Sequence, residues 1–326
     1  MKKMKKFLIL ALSAAFIFPR GLTAREKQIE PSGTYIYAEK DGTPLYMDVY
    51  DPAEGSAEEI DGIRKPTVLF LFGGGFKGGR RDHPVYTEWF EALVKNGYRV
   101  ASIDYRLGMK DNKDSGIAQI NAIHRSVEMA VEDLFSATNY ILANASSLGI
   151  APSGIVIAGS SAGAMTVLQA GWEMSNGGPL AAVLPEGFSY AGIISFSGAV
   201  FSDRGTVRYA KKSVPTLLFH GTNDKLVTYR QIKVFKRHMA GSSPLAAALK
   251  KSGAACSIYR FDGNGHEICN SMLRNLDDEL RFIETDIMKN EGRTVDATIV
   301  DPAIEPFRFG SLRDLYKHID SGKKSR

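Results

Sequence analysis

From residue 65 onward, short apolar runs rich in β-branched residues alternate with longer stretches whose apolar positions recur every three or four residues. The short runs, at 67–72, 98–105, 154–158, 190–196, 215–220 and 256–261, predict buried strands. The longer ones, at 86–95, 117–145, 162–174, 227–239 and 268–289, predict helices. Strand-helix alternation of this kind predicts an α/β fold with a mostly parallel central sheet and helices on both faces. Ahead of it, 33–39 and 45–50 read as two strands joined by Asp41-Gly42, a hairpin signal that predicts an antiparallel N-terminal edge.

The first 24 residues have a different pattern. Lys2, Lys3, Lys5 and Lys6 precede a 12-residue apolar run, 7–18, and small residues near Ala24 offer a cleavage point. This arrangement predicts a secretory signal, with a secreted or periplasmic mature protein. An apolar run of that length is too short to cross about 30 Å of hydrocarbon as a helix, so no stable membrane anchor is expected after processing. The same segment carries the whole charge excess: it holds five of the 41 basic residues and no acid, leaving 36 basic against 36 acidic. A nucleic-acid surface is therefore not expected. The chain divides into a signal (1–24), a catalytic domain (25–292) and a C-terminal tail (293–326) to which no sheet strand is assigned. Within the tail, Ser311 can cap a short helix carrying Leu312, Leu315, Tyr316 and Ile319. Cys256 begins a predicted strand and Cys269 follows the loop at that strand's far end, too far apart for a disulfide.

Candidate chemistry starts where the third buried strand ends in Gly159-Ser160-Ser161-Ala162-Gly163. G-x-S-x-G between an apolar run and a helical pattern fits a sharp strand-to-helix turn that exposes one hydroxyl, which makes Ser161 the candidate nucleophile. Glycines are needed there because side chains would collide with the neighbouring strand and helix. A serine alkoxide does not form unaided at neutral pH, so a base and a group that orients it are required. Among six histidines, His266 stands in a glycine-rich loop just beyond the last strand and is the expected base. His220, at a strand end, is expected to be buried and hydrogen-bonded. Asp224, in the turn of His220-Gly-Thr-Asn-Asp-Lys225, is the expected orienting carboxylate, with Asp203 and Asp262 in reserve. Gly74 and Gly75 of Phe72-Gly-Gly-Gly-Phe76, with Ala162, are positioned to offer backbone N–H groups to an oxyanion. Phe76 is a candidate substrate contact, and Lys77, Arg80 and Arg81 are candidates for the pocket mouth.

With Gly73-Gly74-Gly75, Asp104-Tyr105-Arg106-Leu107, Gly159 to Gly163, His220 to Asp224 and Gly265-His266 in this order, the chain resembles the α/β-hydrolase family, in its carboxylesterase and hormone-sensitive-lipase-like branch. Phe72 and Ser160 depart from that branch, which usually has a histidine before the glycines and an acidic residue before the nucleophile. The resemblance implies the α/β-hydrolase fold, a Ser161-His266-Asp224 triad and an oxyanion hole at Gly74, Gly75 and Ala162. It further implies a serine esterase acting on short acyl or aryl esters of small molecules or carbohydrates, without metal or organic cofactor. The rival readings are a prolyl-oligopeptidase-like serine peptidase and a non-catalytic binding module on the same fold.

Overall fold

The computed structural model describes residues 28–234, 236–306 and 311–324; the expected signal segment lies outside them. Two N-terminal strands, β1 (Gly33–Lys40) and β2 (Thr43–Tyr50), form the expected antiparallel hairpin. A two-residue hairpin, β3 (Glu59–Ile60) and β4 (Ile63–Arg64), leads into β5 (Thr67–Leu71), α1 (Pro84–Lys95) and β6 (Val100–Ile103). Next come α2 (Gly116–Ala143), α3 (Ala145–Leu148), β7 (Ile155–Ser160), α4 (Ala162–Asn176), β8 (Gly192–Phe196) and β9 (Ala199–Ser202). Strand β10 (Thr216–Gly221) is followed by β11 (Gln231–Val234), β12 (Arg237–Gly241), α5 (Ser242–Lys251) and β13 (Cys256–Phe261). The chain closes with α6 (Leu276–Phe282), β14 (Asp296–Ile299) and α7 (Leu312–Lys324).

Nine strands form the central sheet in the order β1-β2-β6-β5-β7-β8-β10-β13-β14. Pairing is antiparallel from β1 to β6 and parallel from there to β14. The parallel strands are buried on both faces, which is why they read as continuous apolar runs. Register matters for function. Ser160 pairs with Phe196, Phe196 with Phe219, and Gly221 with Phe261, so the carboxyl ends of β7, β8, β10 and β13 lie along one edge. Loops leaving that edge start close together.

Three sequence expectations give way. The stretch 227–239, expected as a helix, instead contributes to the hairpin of β11 and β12, which pairs through Met239 and Phe201 with β9. Val227, Ile232 and Val234 suit either period, and the open edge of β9 supplies the strand partner. The stretch 268–289 is no single helix: 3-10 turns at His266–Asn270 and Leu273–Asn275 precede α6, and a π-helical turn at Ile283–Met288 follows it. Ser160 Oγ donates to the Cys269 carbonyl at 2.7 Å, tying the first of these turns to the end of β7 and breaking the helical path. The tail also adds a strand, since β14 pairs parallel with β13. Four alternating residues give too weak a local signal to be read without that partner.

Cys256 and Cys269 are buried free thiols. Among the described residues no helix is long and apolar enough to cross a membrane.

Candidate active site

The tight turn after β7 places Ser161 at φ +50° and ψ −111°, a sparsely populated region for a residue with a side chain. Two glycines make room for it. A Cβ on Gly159 would sit 2.3 Å from the Gly163 carbonyl carbon, and one on Gly163 would sit 2.0 Å from the Leu71 carbonyl oxygen. The collisions expected from sequence are thus with the helix start and with β5. The Ser161 N–H donates to Phe196 O at 2.9 Å, which anchors the turn to β8.

Ser161 Oγ lies 2.7 Å from His266 Nε2, and His266 Nδ1 lies 2.7 Å from Asp224 Oδ2. The other carboxylate oxygen, Oδ1, accepts the N–H groups of Leu226 and Val227 at 2.8 and 2.9 Å. All three side chains are nearly buried, at 7%, 4% and 8% exposure for Ser161, His266 and Asp224. Burial pushes the Asp224 carboxyl up, but hydrogen bonds from His220 and His266 outweigh it and hold the group well below the usual carboxylate range. Burial likewise disfavours charge on His266, yet the Cys269 sulfur and the Asp224 carboxylate raise its pKa above the ordinary imidazole value. A serine, an imidazole and a carboxylate hydrogen-bonded in series can shuttle the serine proton.

The reserve carboxylates are elsewhere: Asp203 is exposed beside Arg204, and Asp262 accepts from Thr222. Of the remaining histidines, His83 caps α1, His124 faces Glu128 and His238 contacts Gln231. His220 is fully buried and hydrogen-bonded, as expected.

The glycine loop is built so that some N–H groups are used internally and others are not. Gly73 N–H donates to Tyr86 Oη at 2.9 Å. The Gly74 carbonyl accepts from Lys77 and Gly78 at 3.1 and 3.2 Å. In a trans peptide the N–H of Gly75 points opposite to that carbonyl, away from the loop's own backbone. Gly75 and Ala162 line the same cavity as Ser161, while Gly74 lines an adjoining cleft with Ser161 and His266. Ala162 is the first residue of α4, where backbone N–H groups lack helical partners and the helix dipole favours negative charge. Phe72, in place of a histidine, stacks on Tyr105 with ring centroids 4.5 Å apart, and Tyr105 Oη donates to the Phe72 carbonyl.

The cavity at Ser161 has a volume of about 260 Å³. Phe76 lines it, but the other candidates for its mouth do not. Lys77 is buried against Asp320, Arg81 pairs with Asp48 and Asp104, and Arg80 turns outward to Asp82. Each of these cations finds a carboxylate away from the cavity. Residues that sequence reasoning missed complete the walls: Ile120 and Ile123 of α2, Met165 of α4, Ile232 of the β11-β12 hairpin and Tyr316 of α7. Only α7 left a signal, through its amphipathic spacing, and nothing local revealed what it packs on. Among the described residues there is no cluster of three or more metal-ligating side chains.

The comparisons agree with this architecture. Residues 47–199 match the family model described as BD-FAE. Esterase 2 of Thermogutta terrifontis phosphoramylated by tabun is similar at a TM-score of 0.54 and 21% identity, covering 78% of this chain and 95% of the other. Its propionate-bound form gives 0.54 and 22% over the same shares. At that identity the likeness establishes the fold. A curated relative, the non-reducing polyketide synthase stbA of Stachybotrys bisbyi, is 28% identical over 203 residues, 61% of this chain; the chain spans 8% of that protein's length. Fold and site together define a serine hydrolase architecture, a hydrogen-bonded Ser161-His266-Asp224 series on an α/β-hydrolase fold, with the family match lying over residues 47–199.

Proposed function

We propose that this α/β-hydrolase is an exported serine carboxylic-ester hydrolase acting on short acyl or aryl esters. The observation that carries the reading is the hydrogen-bonded series Ser161-His266-Asp224 opening onto an apolar cavity. Ser161 Oγ attacks the ester carbonyl while His266 Nε2 takes its proton. The oxygen that becomes negative is met by the N–H groups of Gly75 and Ala162, with Gly74 completing the loop, and His266 then protonates the leaving alcohol. Water repeats the sequence on the acyl-enzyme and releases the acid. Asp224 holds the imidazole in the tautomer that presents Nε2 to the serine.

The modest cavity volume and its aliphatic walls support a short acyl or aryl group. Thermogutta terrifontis esterase 2, of the same fold, has structures with propionate and butyrate bound, and acyl groups of that size suit this cavity. The basic and apolar N-terminal segment supports export.

Hydrolysis of nitrophenyl esters of increasing acyl length, beside acetylated xylan and methyl ferulate, tests the reading. The wild type is expected to turn over the shortest nitrophenyl esters, and Ser161→Ala to lose that turnover. A Ser161→Ala protein as active as the wild type, or a wild type that cleaves peptides but no ester, overturns the proposal.

A further inference from the structure

The esterase reading makes no use of α7, yet this helix seats directly on the glycine loop. We propose that Tyr316 is a positioning residue of the oxyanion loop: by holding the peptide that follows Gly75 it keeps Gly75 from turning, so that the Gly75 N–H, on the preceding peptide, keeps its aim at the reacting carbonyl oxygen. The inference rests on the esterase reading and goes beyond it.

The loop needs such a restraint. Gly74 and Gly75 adopt φ +132° and +63°, conformations that glycine reaches easily and also leaves easily. Protein contacts already hold most of the loop's backbone: Tyr86 takes the Gly73 N–H, Lys77 and Gly78 bond the Gly74 carbonyl, and Met109 N–H bonds the Phe76 carbonyl at 2.9 Å. The carbonyl between them, that of Gly75, is bonded by Tyr316, whose Oη donates to it at 2.9 Å across 241 residues of sequence. The ring also covers the loop. A Cβ on Gly75 would lie 2.8 Å from Tyr316 Cε1, so the glycine is needed partly because the tyrosine is there.

Independent contacts fix the tyrosine in turn. Ile319, one turn on, packs against Gly78. The Lys77 ammonium, on the loop, lies 3.3 Å from Asp320 Oδ2 and 5.3 Å from the centre of the Tyr316 ring. Ser311 Oγ accepts the Asp314 N–H at 3.2 Å and caps the helix. Burial pushes the Tyr316 phenol up to about 12, so the hydroxyl remains a donor at working pH. Preorganised donors speed a reaction because they need not reorganise as charge appears; a glycine loop released at Gly75 would lose that advantage.

The test compares the wild type with Tyr316→Phe, Asp320→Ala and, as a control on the exposed face of α7, Lys317→Ala. Tyr316→Phe is expected to lower kcat for 4-nitrophenyl acetate about tenfold with KM nearly unchanged, less than the 10²- to 10³-fold cost of deleting an oxyanion donor. Inhibition by phenylboronic acid, whose serine adduct places a negative oxygen in the hole, is expected to weaken by a similar factor. Asp320→Ala should move both readouts the same way by less, with its Tm reporting that the fold is kept, and Lys317→Ala should move neither. A Tyr316→Phe enzyme that matches the wild type in kcat and boronate affinity sinks the proposal. So does a fall in kcat with boronate affinity unchanged. A wild type without ester turnover removes the underlying reading instead, which separates the two failures.

Discussion

The Nε2 atom of His220 lies 3.3 Å from Oδ2 of Asp224, the same oxygen that receives Nδ1 of His266 at 2.7 Å. His220 Nε2 also lies 3.0 Å from the Val227 carbonyl, and its Nδ1 lies 2.8 Å from Ser242 Oγ. A protonated Nε2 serves both the Asp224 carboxylate and the Val227 carbonyl, while Nδ1 faces the Ser242 hydroxyl. His220, next to the last residue of β10, therefore braces the carboxylate at the same oxygen that receives the base. Because Asp224 keeps two backbone donors and His266 without it, His220→Gln is expected to lower kcat only about tenfold, against about 10⁴ for Asp224→Asn. Side-by-side turnover of 4-nitrophenyl acetate by the two variants checks this, and equal losses would contradict the bracing role.

The acid limb of activity follows from the base. His266 must be neutral to accept the serine proton, and its pKa is raised, so activity is lost as pH falls through a value above the ordinary imidazole pKa of about 6.5. Asp224 is held below the usual carboxylate range and stays ionised throughout that fall. A profile of kcat/KM for a neutral ester should therefore bend above pH 6.5. Activity that persists undiminished to pH 6 would show that the Cys269 sulfur and the Asp224 carboxylate do not raise the imidazole as described.

Lys225, Arg237 and His238 stand among the residues lining the cavity, which include no aspartate or glutamate. An ester with a carboxylate on its outer end is expected to be favoured over its uncharged isostere. At surface separations near 4 Å one such charge pair is worth about 1 kcal/mol, or about fivefold. The ratio of kcat/KM for the 4-nitrophenyl monoesters of succinate and butyrate should fall by about that factor in Lys225→Gln and also fall with added salt. A ratio that neither variant nor salt changes would show that the rim charges do not reach the substrate.

Glu279 is a buried group the mechanism does not use. Its Oε2 accepts from Trp89 Nε1 at 2.8 Å, Oε1 has no hydrogen-bond partner among the described residues, and burial raises its pKa well above the usual carboxyl value. It is therefore protonated when folded. Unfolding at a pH above the unfolded value of about 4.3 releases that proton, so this group's contribution to stability declines as pH rises. Glu279→Gln should gain Tm relative to the wild type at pH 8 compared with pH 4.5. A Tm difference that stays constant across that range would count against a protonated carboxyl.

The sequence alone determined whatever depends on local stereochemistry. Gly159 and Gly163 mark a turn that side chains cannot make, the apolar runs mark strands buried on both faces, and the order Ser161, Asp224, His266 places three reactive groups after the ends of three of those strands. Tertiary structure decided the rest, because the deciding partners are distant in sequence. Strands β11 and β12 became a hairpin since β9 offers an open edge, and β14 exists by virtue of β13. Tyr316 entered the cavity wall because the glycine loop, 241 residues earlier, left one carbonyl for its hydroxyl. Amphipathic spacing shows that a helix has a face to bury, but the surface that receives that face is fixed only once the chain has closed on itself.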